Sequence, residues 1–247
     1  MKMCQAFSGL GHEVTLLVPC LAGSHEFSTE DDFSFYGVSR SFAIERITVP
    51  DIRGWSYIYG FRAARAVQRL QADIVYGRSL PACTASLLAG MPAYFEAHVP
   101  VEDSGVINRT VFQRYIARRD YKGMVVISNA LKTHYIDRYS LNPDSILVAH
   151  DGADMTDSEG PGDKRNMAAN RLQVGYIGHL YAGKGMEIIA QLARQCDWAD
   201  FHVIGGLDRD IDHWLRELTD CGNIRFYGFL PPNEAARHRS MFDVVLA

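Results

Sequence analysis

The chain has 247 residues, 47% of them apolar and 22% charged, with a formal charge of −4. This is the composition of a globular protein long enough for two domains. It gives no electrostatic footing for nucleic acid, and no apolar run reaches the ~20 residues of a membrane span. The five cysteines, Cys4, Cys20, Cys83, Cys196 and Cys221, are scattered without metal-binding spacing, a pattern of reduced thiols in a cytoplasmic protein. The opening MKMCQAFSGLGHEV has charge and glycine where a signal peptide has an apolar core.

In chain order, residues 1–11 begin inside a helix with no strand before it. HEVTLLVP (12–19) and ERITVP (45–50) are β-branched, apolar and bounded by Gly or Pro, which predicts strands. EDDF, near residue 30, is expected to be an acidic loop. SYIYGFRAARAVQRLQ (56–71) has apolar residues at helical spacing. A strand at 72–77 precedes a small-residue helix at 81–90, with Pro near its start and Gly at its end. PAYFEAH (92–98) is a strand, 106–121 a basic amphipathic helix and GMVVIS (123–128) a buried strand. NALKTHYIDRY (129–139) is a helix with Asn129 available as its cap, and 144–152 is another strand.

Residues 154–171 are polar, rich in Gly and charge, and have no apolar period, so they are expected to link two domains. Alternation then restarts: strands at 172–178, 199–206, 223–230 and 242–247, and helices at 184–196, 210–222 and 232–241. Short apolar strands alternating with helices predict an α/β protein with parallel sheets covered on both faces. The expected domains are 1–153 and 172–247, the second incomplete because it stops in an uncovered apolar strand. The expectation is a fragment lacking material at both ends.

YIGHLYAGKG (176–185) connects a strand to a helix. It has the glycine spacing of a nucleotide-binding P-loop, but Gly185 stands where a Ser or Thr hydroxyl would hold Mg²⁺. The strands at 199–206 and 223–230 end without the acidic residue that would position the metal. A Gly-rich turn opening a helix can still hold an anion through backbone N–H groups, with Lys184 as an added cation. The spacing alone equally allows a tight turn in which glycine only permits the bend.

The ordered series GLGHEVTLLVP, ADIVYGRS, FEAH, VVISNALK, ILVAHDGAD, YIGHLYAGKG, FHVIGG, IRFYGFLP and FDVVLA resembles the retaining glycosyltransferases of family 4, also called group 1. The resemblance runs over essentially the whole chain. It implies the GT-B fold, two Rossmann-like domains, of which 1–153 is the acceptor side lacking its first strand and 172–247 the donor side. It also implies a Gly-rich turn upstream of Met1 and a paired-Glu motif downstream of Ala247. Lys184 matches the family Lys that clamps the donor diphosphate, and His179 stands at the Arg position without its bidentate fork. Gly178, Gly183 and Gly185 form the turn, and Phe229 and Leu230 lie in the loop that meets the nucleoside base. His98, ending FEAH, takes the place of the catalytic His that faces the donor sugar. Glu96, Ser128, Asn129 and Asp151 are cleft candidates. Glu96 reads rather as a side chain that only caps or bridges backbone, Ser128 and Asn129 equally as helix caps, and Asp151 replaces the family Asn in a turn.

The implied activity is transfer of a sugar from a nucleotide diphosphate donor to an acceptor hydroxyl with retention, in glycan, polysaccharide or glycolipid synthesis. The nucleotide-sugar is a co-substrate. No other cofactor and no metal are expected, since the chain shows no Asp-x-Asp motif. The acceptor is a sugar, a lipid-linked molecule or another hydroxyl compound. Arg109, Arg114, Arg118, Arg119 and Lys122 are either a solvated face or a contact for anionic lipid at the inner face of the membrane. Three alternatives stay open: a non-catalytic nucleotide-sugar-binding module, a P-loop-like NTPase, and an epimerase or phosphorylase of the same fold.

Overall fold

The computed structural model describes residues 1–23, 31–152 and 171–246. Residues 154–170 of the expected linker lie outside them, as does Glu30 of the EDDF segment. The chain divides into two compact units. One comprises Met1–Gly9, Thr29–Ser41 and Met155–Ala247, the other Leu10–Ser28 and Phe42–Asp154.

In the second of these units, strands β1 (Thr15–Leu21) and β2 (Ala43–Val49) pair in parallel as one sheet. Strands β3 (Val75–Gly77), β4 (Ala93–Ala97), β5 (Met124–Val126) and β6 (Ile146–Val148) form another parallel sheet in the order β3-β4-β5-β6. Consecutive strands are neighbours, so each crossover is short. Helix α3 (Trp55–Leu70) covers the β1–β2 sheet: Tyr59, Ala63 and Ala66 pack with Ile47 and Val49. Phe112 and Tyr115 of α5 (Val106–Ile116) and Tyr135 of α6 (Asn129–Tyr139) fill the core of the four-stranded sheet. Tyr115 donates to the Ala93 carbonyl at 2.6 Å and accepts from the Phe95 N–H at 3.2 Å, which fixes the start of β4.

The other unit begins with α1 (Lys2–Gly9) and α2 (Asp32–Tyr36). EDDF is therefore not simply a loop. Asp31 caps α2 by accepting from the N–H groups of Phe33 and Ser34, and Gly37 ends it at φ 60°. Strands β7 (Leu172–Ile177), β8 (Ala199–Ile204), β9 (Ile224–Gly228) and β10 (Val244–Leu246) form a parallel sheet in the order β10-β7-β8-β9. The chain steps outward from β7 to β9 and then returns to the far side of β7. Helices α7 (Met186–Gln195) and α8 (Asp208–Glu217) put Met186, Ile189, Ala190 and Trp214 against Val174, Phe201 and Val203. His202 is buried in this sheet between Tyr227, 2.7 Å from Nδ1, and Gln173, 2.7 Å from Nε2.

Helix α3 crosses α4 (Leu80–Leu88) closely because its contact face is made of small residues. A Cβ built on Gly60 would stand 2.7 Å from the carbonyl carbon and oxygen of Pro81, which are backbone and cannot turn aside. In a helix interior Gly→Ala gains up to about 1 kcal/mol of propensity. Overpacking of this kind costs about 1–3 kcal/mol. The clash therefore dominates, and Gly60→Ala is expected to lower the midpoint of urea unfolding. An unchanged or raised midpoint would show that the two helices are free to separate.

Candidate active site

Parallel strands all deliver the chain to one edge of their sheet, and ligands of open α/β sheets bind beyond that carboxyl edge. In the β3–β6 sheet, Arg78 follows the end of β3, His98 the end of β4, Ser128 closely follows β5 and Asp151 lies beyond β6. Glu96 is the penultimate residue of β4 and is only 5% exposed. Among the described residues its carboxylate is bonded by side chains rather than backbone. Its Oε1 lies 2.6 Å from His98 Nε2 and 3.2 Å from Arg78 Nη2. The Tyr76 hydroxyl also bonds this carboxylate.

The alternation of β4 explains the pairing, since Glu96 and His98 are two residues apart and share a side of the strand. A carboxylate only accepts, so His98 Nε2 carries the hydrogen and Nδ1 is the ring atom left for a ligand. Burial pushes the Glu96 pKa up, but hydrogen bonds from His98 and Tyr76 and the Arg78 cation outweigh it and hold the carboxyl below its ordinary value. Next to that charge, burial drives the Tyr76 phenol well above its usual range. Both shifts favour an ionised Glu96 beside a neutral Tyr76.

Asp151 is exposed but joins the group: one ligand atom each from Glu96, His98 and Asp151 lies within 4.8 Å of the others. These three could ligate a cation. Arg78, already on Glu96, supplies positive charge at the same carboxylate. Ser128 caps α6, its Oγ accepting from the Leu131 N–H at 3.2 Å. Asn129, expected as the cap, is instead the first helical residue and is exposed. The extended backbone of Ser128 (φ −152°, ψ 156°) is the Ncap conformation.

In the other sheet β7 is the switch point, with β8 on one side and β10 on the other. The loop 178–185 leaves β7 there and opens α7. Gly183 and Gly185 have φ of 85° and 84°, so they do permit the bend. A Cβ on Gly178 would stand 2.6 Å from the Tyr176 hydroxyl. That hydroxyl lies 2.7 Å from the His179 carbonyl and 3.1 Å from the Lys184 carbonyl, pinning both ends of the loop. Leu180 is buried at 2% exposure, and Trp214 Nε1 donates to its carbonyl at 3.2 Å.

With its backbone held, the loop presents His179, Tyr181 and Lys184 outward. Lys184 Nζ lies 5.5 Å from the Tyr181 ring centroid, and His179 packs beside the same ring. Gly185 caps α7 without a side chain, so no side-chain group occupies the first-turn N–H groups. The neighbouring strand ends carry no acidic side chain: β8 runs into Gly205 and Gly206, β9 into Phe229 and Leu230. Phe229 is exposed and stacks on Phe35 at 6.1 Å, and Leu230 is half-buried.

Parallel sheets flanked by helices, in a chain of two such units, are the GT-B architecture. The comparisons agree. The profile of Glycosyltransferase Family 4 matches residues 1–157, and the chain belongs to that family. A glycosyltransferase from Rickettsia africae ESF-5 is similar at TM-score 0.64 and 13% identity, over 99% of this chain and 66% of the other. Anabaena Alr3699/HepE, solved in complex with UDP and glucose, is similar at TM-score 0.60 and 18% identity, over 95% of this chain and 73% of the other. Sucrose-phosphate synthase from Thermosynechococcus elongatus is similar at TM-score 0.69 and 14% identity, over 99% of this chain and 67% of the other. This chain therefore spans slightly less than two thirds of the first of these structures. No curated protein sequence matches it. No helix among the described residues is long and apolar enough to cross a membrane.

Because the folded Glu96 pKa is lowered, its contribution to stability is full above the ordinary value of 4.5 and is lost as pH falls through the folded value. Glu96→Gln is expected to flatten the acid limb of the stability profile. An acid limb identical in both proteins would mean that Glu96 is not held by the Arg78–His98–Tyr76 cluster.

Proposed function

We propose that the intact protein transfers a sugar from a nucleotide diphosphate donor to an acceptor hydroxyl, with retention of anomeric configuration. The observation that carries this is the preorganised loop 178–185 at the β7 switch point, in a chain of Glycosyltransferase Family 4. The solved complex of Anabaena Alr3699/HepE with UDP and glucose supports a nucleotide-sugar as the donor.

In this reading the bond between the anomeric carbon and the departing phosphate breaks, a bond to the acceptor oxygen forms, and the acceptor proton leaves with the phosphate. Negative charge builds on the leaving diphosphate while the sugar becomes oxocarbenium-like. Lys184, His179 and the first N–H groups of α7 receive that charge from positions fixed before reaction, which is where electrostatic catalysis is strongest. Phe229 and Leu230 meet the base. His98 is the catalytic residue, as the resemblance implies, with its ring set by Glu96 and Nδ1 turned to the ligand. Glu96 is a positioning residue, and Asp151 lies beside it. The clamp needs no metal, and the acceptor is a sugar, a lipid-linked molecule or another hydroxyl compound. Arg109 and Arg114 of α5, with Arg118, Arg119 and Lys122 in the segment that follows it, would meet an anionic membrane surface at the cytoplasmic side.

The NTPase alternative loses support from the ends of β8 and β9, where no carboxylate stands to position Mg²⁺. A charge-assisted hydrogen bond contributes about 1.5–3 kcal/mol, so Lys184→Ala is expected to weaken donor binding by roughly tenfold or more. Unaltered affinity, measured by calorimetry with a UDP-sugar, would remove Lys184 from the diphosphate site. His98→Ala in the intact protein is expected to lower turnover about a hundredfold with little change in donor affinity. A normal rate would take His98 out of the mechanism.

A further inference from the structure

A cleft of about 370 Å³ lies between β2 and α3, and it shares no lining residue with the His98 cluster. Four of its lining residues are arginines: Arg46 on β2, and Arg62, Arg65 and Arg69 on α3. The helical three are spaced by three and four residues, so they stand in one row along the helix. The depth of the cleft comes from Ala66 and Ile47, both buried at its floor. A longer side chain at position 66 would fill it.

The guanidinium groups are partly ordered already. Arg62 donates through Nη1 to the Thr48 carbonyl, which leaves its other N–H groups to point elsewhere. Arg65 lies over the Phe61 ring at 4.5 Å. Arg69 Nη2 stands 2.5 Å from both oxygens of Glu45, the one carboxylate among the described residues that line the cleft. Arg62, Arg65 and Arg69 face the single Glu45 carboxylate among the described lining residues, which leaves an excess of positive charge in the cleft, and a cleft lined by one sign of charge focuses its field. Guanidinium forks match the oxygen geometry of phosphate. An outer strand is also guarded against unwanted pairing by charge, but one or two cations suffice for that, without a cleft.

We propose that this cleft is a second anion site, which binds a phosphate-bearing ligand separately from the loop at 178–185. The ligand is either a soluble phosphate ester or the headgroup of an anionic lipid. Both present the same chemistry to Arg62 and Arg65.

The test uses the full chain with Lys184→Ala, which weakens the other unit's loop, so that any binding lost on changing Arg62 or Arg65 belongs to the cleft. Pyrophosphate is titrated by calorimetry at low salt, and vesicles of phosphatidylglycerol in phosphatidylcholine are tested by co-flotation. Each is repeated after Arg62→Gln with Arg65→Gln, and after Arg65→Glu alone, an exposed change that spares the Thr48 contact. Thermal melts establish that every variant is folded. Loss of pyrophosphate affinity by about tenfold or more supports the proposal with a soluble ligand. Loss of flotation, with no pyrophosphate binding at the outset, supports it with a lipid headgroup. Failure of both probes to bind, or binding by a folded Arg65→Glu protein as strong as before, overturns it.

Discussion

In a parallel sheet every strand runs the same way, so every strand–helix turn falls on one edge. That constraint sets the rest of this structure. Residues distant in sequence, such as Arg78, Glu96, His98 and Asp151, meet only because β3, β4, β5 and β6 all end there. The same rule gathers the turns after β7, β8 and β9 in the other unit. What distinguishes β7 is the reversal of strand order around it, which leaves its turn room for a ligand.

The two edges are built for different work. The loop at 178–185 is a backbone device: Tyr176 ties its carbonyls, Leu180 anchors it in the core and Trp214 holds Leu180 from behind. Its exposed cation and helix N–H groups are suited to charge that appears during reaction. The His98 edge is a side-chain device. A buried, ionised Glu96 fixes the histidine ring, and Arg78 and Tyr76 keep that carboxylate from being an isolated buried charge.

Much of this was legible in the sequence, because the alternation of short apolar strands with helices is a strong signal and the family motifs fall in order. The strand ends, and with them His98 and the 178–185 turn, follow directly from it. Side-chain partnerships were not legible. Glu96 looked like a plausible backbone bridge, and only the register of β3 against β4 brings Tyr76 and Arg78 to it. Nothing local marked those two residues. Other misses had signals that were available. Ser128 and Asn129 both read as possible caps, and capping by Ser128 starts the helix at Asn129, one position earlier than an Asn129 cap would. Asp31 and Gly37 bracket α2 with a cap and a left-handed stop, but five residues are too few to show a period.

The most direct test of this account is hydrogen exchange of the full chain with and without a nucleoside diphosphate, in metal-free buffer. The account predicts slowed exchange at the amides of residues 178–188, the loop and first turn of α7, with smaller protection around 205–206 and 229–230. No protection at 178–188, or protection that appears only when Mg²⁺ is added, would contradict it.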